Sequence, residues 1–151
     1  MPGYIGPDQV WLHIGAGNHS LGKLFSARVK RIDAITVVQE EIETAPGIGN
    51  YRVWWCDKHH PDFMTAERYN VIIDTTPCGH ACCWKHFYDY LNHVFHLLDK
   101  GGVYLTDKVG LAWAQPTFKG MEPEIFGAVI GQYGMRWQFI SETVMECVKC
   151  V

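Results

Sequence analysis

The sequence predicts an α/β fold: a mainly parallel twisted sheet with helices on both faces and an antiparallel strand or hairpin at the C-terminal end. Three observations carry this reading. Short β-rich runs alternate with helical stripes along the chain, the pattern of crossover units and parallel strands. The first such run breaks at Gly15-Ala16-Gly17 and leads directly into a helix start. Four of five strand ends carry acids, at the carboxyl ends where open parallel sheets bind their ligands.

The elements follow in order. Met1–Gln9 carries two prolines and two glycines and is an irregular lead-in. Val10, Leu12 and Ile14 alternate on a first strand, Val10–Ile14, apolar enough to be buried. Asn18–Leu24 opens a helix whose stripe is Leu21, Leu24, Phe25 and Val29. Ala34–Gln39 is the second strand, ending at Glu40-Glu41; after the Ala45–Asn50 loop, Tyr51–Cys56 is the third, stopping at Asp57. Lys58–Asp62 is polar and turn-like, and Phe63–Arg68 is a helical turn. The fourth strand, Tyr69–Asp74, again ends in an acid, and Thr75–Cys83 is a loop. Trp84–Asp99 is the strongest helix, with Phe87, Tyr90, Leu91, Val94, Phe95 and Leu98 at three- and four-residue spacing. Lys100-Gly101-Gly102 is expected to end it as a glycine cap. Val103–Thr106 is a fifth strand running into Asp107-Lys108, Glu122–Tyr133 a last helix, and Trp137–Val151 one long strand or a hairpin through Ser141–Thr143. With no internal repeat and no linker, residues 1–151 read as a single domain.

Composition narrows the function classes. The 151 residues, 48% apolar and 13% aromatic, suit one domain with a real core. No apolar run approaches the roughly 20 residues of a membrane span, and Met1–Gly6 does not have the pattern of a secretory leader. The formal charge of −3 provides no global attraction to nucleic acid; such a partner needs a local patch or a second subunit. Six cysteines are too sparse for a disulfide scaffold, so reduced thiols and a cytoplasmic location are expected.

A strand, a glycine turn and a helix N-terminus form a nucleotide-binding corner, because glycine permits close backbone approach and the helix start presents free N–H groups. The same turn also simply joins strands to helices. As a dinucleotide pattern, Gly15 and Gly17 fit, Ser20 replaces the third glycine, and Glu40/Glu41 lie at suitable spacing. The Cys/His-rich stretch Cys78, His80, Cys82, Cys83 and His86, with Cys56, His59 and His60 on another loop, has the ligand types of zinc. Its spacing, C-x-H-x-C-C-x-x-H, is no standard finger, so reduced cysteines and no metal are expected. Trp54, Trp55, Trp84, Trp113 and Trp137 read mostly as core or sheet-face residues.

The second half decides between nucleotides. A strand ending in an acid, a loop, a long helix, LLDKGG, a further strand, a helix and a C-terminal strand or hairpin resemble the Rossmann-like class I S-adenosylmethionine-dependent methyltransferases, over Val10 to the end. The resemblance implies S-adenosylmethionine as cofactor. It implies the Gly15-Ala16-Gly17 turn against the methionine part, Glu41 or Glu40 on the ribose hydroxyls, and Asp57 accepting from the adenine amino group. His13 stands where many members have an acid, and His19 where many have a third glycine.

Within that superfamily the order LHIGAG, WWCD, YNVIID, FYDYL, LLDKGG, SETVMECV looks nearest to coronavirus-like (nidoviral) RNA ribose 2′-O-methyltransferases. That group works with a Lys-Asp-Lys-Glu tetrad in which the second lysine deprotonates the ribose hydroxyl. The resemblance implies Asp74 as the aspartate, Glu142 as the glutamate and Lys108 as the base. Lys108 lies one position late, with Asp107 in the expected slot, and Met1–Gln9 holds no first lysine. Lys108 also reads as a solvated strand-end lysine, and Glu142 as a turn residue beside Glu146. A weaker resemblance links DTTPCG and the FYDYL helix to spermidine synthases, with Asp74 as the acid. A non-catalytic methyltransferase-fold binding protein is the third reading. The expected acceptor is RNA, delivered with a protein partner or in a dimer, or else a small molecule; no membrane is expected.

Overall fold

Seven strands form one sheet, described with residues 3–60 and 67–151 of a computed structural model. They are β1 (Val10–Ile14), β2 (Arg31–Thr36), β3 (Tyr51–Trp55), β4 (Tyr69–Asp74), β5 (Leu98–Asp107), β6 (Met135–Phe139) and β7 (Val144–Lys149). Their order is β3-β2-β1-β4-β5-β7-β6. The first five run parallel, and β7 pairs antiparallel with both β5 and β6. The helices are α1 (Ser20–Phe25), α2 (Gln39–Glu43), α3 (Trp84–Leu97), α4 (Lys108–Leu111) and α5 (Pro123–Gly131), with a 3-10 turn at Ser26–Arg28. Chain order reverses between β1 and β4, which leaves a crevice at their carboxyl ends.

Period-two alternation divides the core between the sheet faces. Leu12, Ile14, Ile72 and Tyr104 pack with α3 and α5; Trp11, Ile32, Val71, Ile73, Val103 and Leu105 pack on the other face, with Leu21 and Phe25 of α1 against them. The stripe on α3 is buried as expected, through Phe87, Tyr90, Leu91, Val94 and Phe95. Among the described residues, no helix is long and apolar enough to cross a membrane.

The structure moves several boundaries. The second strand is Arg31–Thr36, not Ala34–Gln39. It starts early because Arg31 pairs with Val10, and it stops where the Thr36 hydroxyl accepts from the Val38 N–H at 3.0 Å and turns the chain into α2. Glu40 and Glu41 therefore sit on a short helix rather than at a strand end. The long helix ends at Leu97, and Lys100-Gly101-Gly102 belongs to β5, not to a glycine cap. Leu98 pairs with Tyr69 while Val103 pairs with Val71, so the intervening residues form an irregularity that Gly101, at φ 75°, accommodates. The Lys149 ammonium caps the helix instead, donating to the Phe95 and Leu98 carbonyls at 2.8 and 2.7 Å. The C-terminal run is the hairpin alternative, β6 and β7. The turn expected at 63–68 lies largely outside the described residues.

Candidate functional site

The corner after β1 has the backbone its sequence requires. Gly15 (φ 85°) donates its N–H to the Ile35 carbonyl at 2.9 Å, and Gly17 is also left-handed (φ 53°). Nothing lies within 4 Å of where a Gly15 Cβ would stand, so the open space there belongs to the crevice. His19, at the position of a third glycine, keeps the left-handed conformation at φ 62°. Such a conformation is costly for a non-glycine residue. The buried ring is held by a 2.9 Å hydrogen bond between Nδ1 and the Tyr51 hydroxyl. Burial pushes the Tyr51 phenol up to about 12, so the hydroxyl stays protonated.

A cavity of about 350 Å³ opens on this corner. Gly15, Glu41, Asp57, Lys58, Thr76 and His80 are its polar and glycine lining, and Ile14, Ile35, Val37, Val38 and Cys56 its apolar wall. Of the expected cofactor residues, Gly15, Glu41 and Asp57 thus face one space. Ala16 is buried, Gly17 continues the turn, and Glu40 is exposed on α2. Glu41 Oε2 is buried without a hydrogen-bond partner, a carboxylate oxygen prepared for a donor that enters the cavity. Asp57 Oδ1 accepts from the His59 N–H at 2.9 Å, which orients the carboxylate.

Asp74 ends β4 fully buried. Its Oδ2 takes the Lys58 ammonium at 2.9 Å and the Tyr90 hydroxyl, and its Oδ1 takes the Thr76 N–H at 2.8 Å. Lys58 also donates to the Thr76 and Pro77 carbonyls, at 2.6 and 3.3 Å, and lies 4.9 Å from the Tyr90 ring centre. Burial and the Asp74 charge drive the Tyr90 phenol well above its ordinary range, so it remains a donor. Nothing in the spacing of Lys58 marked it: a lysine in a polar turn is ordinary, and its partner lies 16 residues on. Tyr90 was legible only as part of the apolar stripe.

The other two expected catalytic residues lie along the same end of the sheet. Asp74 pairs in register with Thr106, and the Lys108 N–H donates to the Thr143 carbonyl at 2.9 Å, beside Glu142. Asp107, in the slot expected of the base, is the N-cap of α4 and accepts from the Val109 N–H at 2.7 Å. Lys108 is partly exposed and Glu142 exposed. Among the described residues, no hydrogen bond or ion pair joins the side chains of Asp74, Lys108 and Glu142.

His13 lies between Ala34 and Ile73, 8% exposed, with Nδ1 unpartnered. Burial pushes its imidazole down to about 4, against the pull of Asp74 and Glu41, so the native ring is neutral. Burial also pushes the thiols of Cys56 to about 11 and of Cys78 and Cys147 to about 12, which leaves them protonated and unsuited to nucleophilic work.

No protein-family model matches the chain, and no curated protein sequence matches it. Its fold is similar to several solved structures. The N-methyltransferase NodS from Bradyrhizobium japonicum WM9 superposes with a TM-score of 0.71 at 14% identity, covering 95% of this chain and 85% of that one. An rRNA methylase from Streptococcus thermophilus gives 0.69 at 12% identity, covering 98% and 90%. The SAM-bound amino pentose methyltransferase CalS10 from Micromonospora echinaspora gives 0.73 at 9% identity, covering 94% and 84%. The expected fold, Rossmann-like and of the class I methyltransferase type, is the one observed.

Two stability predictions arise here. Lys58→Met strands the buried Asp74 carboxylate, and urea unfolding should show a loss of roughly 3–5 kcal/mol; adding Asp74→Asn should restore part of it. The His13 ring sets a pH dependence. Its native value is about 4 and its ordinary value 6.5, so between those pH values the unfolded chain binds the extra proton. Stability should therefore fall as pH drops through that window, with this group contributing up to about 1.4 kcal/mol per pH unit. Urea titrations of wild type and His13→Gln from pH 7.5 to 4.5, roughly spanning this window, should diverge in slope; parallel curves would refute the assignment.

Proposed function

We propose that the chain is an S-adenosylmethionine-dependent methyltransferase that acts on a ribose hydroxyl of RNA. The observation that carries the cofactor is the single cavity on which the Gly15 backbone, the unpartnered Glu41 oxygen and the Asp57 carboxylate converge. The fit is chemical as well as spatial. A carboxylate accepts two hydroxyl hydrogen bonds, as Glu41 would from a ribose, and an exocyclic amino group needs an acceptor such as Asp57. The apolar wall from Ile14 to Cys56 suits an adenine face. The likeness to methyltransferase folds agrees with this reading.

When bound, the cofactor supplies a methyl group on a sulfonium, open to attack by a nucleophile. The chain's own work is to position the acceptor and take its proton. Lys58 is committed to three oxygen acceptors, which suits it to fixing Asp74 and the loop after β4 rather than to proton transfer. Lys108, at the end of β5 beside the Thr143 carbonyl, is the base in this proposal, with Glu142 next to it. It would accept the hydroxyl proton at Nζ. With a net charge of −3 the chain exerts little long-range pull on phosphates, so the proposal includes a basic partner or a second subunit that delivers the RNA.

A second reading, a non-catalytic binding protein on this fold, draws on Asp74 itself, whose two oxygens are already engaged in a fully buried site. Calorimetry with S-adenosylhomocysteine, decarboxylated S-adenosylmethionine and NAD separates the ligand classes, including the aminopropyl-transfer alternative. S-adenosylhomocysteine should bind, and Glu41→Gln or Asp57→Ala should weaken it by roughly 1–3 kcal/mol, about 5- to 150-fold. Unchanged affinity in both folded variants would move the site elsewhere. Methyl transfer to capped and uncapped RNA should be lost in Lys108→Ala. Activity that survives Lys108→Ala would remove that residue as the base; binding without transfer would favour the non-catalytic reading.

A further inference from the structure

The loop after β4 carries chemistry that the proposed reaction leaves unused. Of the Cys/His-rich stretch, Cys78 is buried in the core and His80 lines the cavity, but Cys82, Cys83 and His86 converge on a single point at the solvent-facing start of α3. Cys83 is the residue at which the extended loop (φ −165°, ψ 167°) turns into α3, and the first helical turn carries the His86 ring back over the two thiols. The Cys82 and Cys83 sulfurs are 3.8 Å apart, and His86 Nδ1 lies 3.4 Å from Cys83 Sγ and 2.8 Å from Cys82 Sγ.

We propose that Cys82, Cys83 and His86 form a binding site for a thiophilic divalent cation, with zinc the chemical match. Tetrahedral zinc, with bonds of about 2.3 Å to sulfur and 2.0–2.1 Å to nitrogen, separates two sulfur ligands by about 3.8 Å and sulfur from nitrogen by about 3.5 Å. Two of the three spacings agree with these values. The third, Cys82 to His86, must open by about 0.7 Å, a small change for two exposed side chains that can rotate. Among the described residues, this is the one group of three donors of this kind. Cys82 and His86 are exposed, and the cluster lies beside a cavity of about 420 Å³ that His86 shares with His59 and Asp89.

The cation would act as a clip. It ties the end of the 75–83 loop to α3, and that loop's Thr76 and Pro77 carbonyls hold Lys58 while Thr76 and His80 line the cavity. The metal would thus brace one wall of the crevice from outside.

Cobalt(II) is the probe, because its tetrahedral thiolate complexes absorb visibly and zinc displaces it. The full chain, reduced with a phosphine and stripped of metal, should bind one equivalent of cobalt with thiolate-to-metal charge-transfer bands and tetrahedral visible bands, which zinc abolishes. Cys82→Ser, Cys83→Ser and His86→Ala should each weaken binding by more than about tenfold, whereas Cys150→Ser, outside the cluster, should leave it unchanged. Circular dichroism is the control that these variants remain folded. A wild-type cobalt spectrum in the Cys82→Ser/Cys83→Ser double variant, or no charge-transfer band in the wild type, would overturn the site. So would a Cys82–Cys83 disulfide that forms under mild oxidant as fast with zinc as without. None of these readouts depends on cofactor binding or methyl transfer, so the site stands or falls separately from the proposed reaction.

Discussion

The Lys58–Asp74 ion pair is the constraint on which the site is built. In the sheet order, β3 and β4 are separated by β2 and β1, three strand spacings or roughly 14 Å. Lys58 leaves the end of β3 and reaches the end of β4, so the segment that carries it spans the carboxyl ends of the two strands between. That span helps to enclose the crevice. A buried carboxylate is tolerated only with full compensation, and Asp74 has it: an ammonium, a phenol and a backbone N–H. The partners are held in turn, Lys58 by two loop carbonyls and Tyr90 by its place on the buried face of α3 and its contact with the Tyr104 hydroxyl. Replacing such a pair by apolar side chains costs little, whereas removing one partner leaves the other charge buried and uncompensated.

The glycine corner shows a second economy of design. A third glycine would adopt the left-handed conformation without cost, yet the chain places His19 there. The ring answers the strain by bonding to Tyr51 on β3, linking the helix start after β1 to the sheet's edge strand. His13, one residue before the buried end of β1, puts a neutral ring close to the Asp74 and Glu41 charges. A third acid among those two would raise the cost of every charge in the crevice. A neutral imidazole avoids that cost and leaves Glu41 unpartnered for an incoming donor.

The end of the sheet that carries Lys108 and Glu142 is less tightly assembled than the crevice around Gly15, Glu41 and Asp57. Asp107 caps α4 through the Val109 N–H, and Lys108 is the first residue of that helical turn. Lys108 and Glu142 are brought to the same end of the sheet by the β5–β7 pairing, but their side chains remain at the surface.

Periodicity and the break at Gly15 were enough to determine the fold class, the strands β1, β3 and β4 and the long helix, because those signals are local: alternation, a stripe, a turn; the choice of a hairpin over one long strand at the C-terminal end came from the β6–β7 pairing. The acid after the third strand likewise identified Asp57 as a crevice residue, since chain topology alone brings parallel strand ends to one side, whereas Glu41 reaches the same cavity from the short helix α2. Only the tertiary structure decided the remainder. The end of α3 was set by pairing of Leu98 with Tyr69 and by a lysine 51 residues away, which overrode a local glycine signal. Lys58 became the partner of Asp74, and three of the five Cys/His residues of the loop, Cys82, Cys83 and His86, became one cluster, through contacts between segments or the geometry of a single turn. Residue type and spacing do not encode such contacts, because burial and direction of a side chain are properties of the whole packed sheet rather than of its neighbours in sequence.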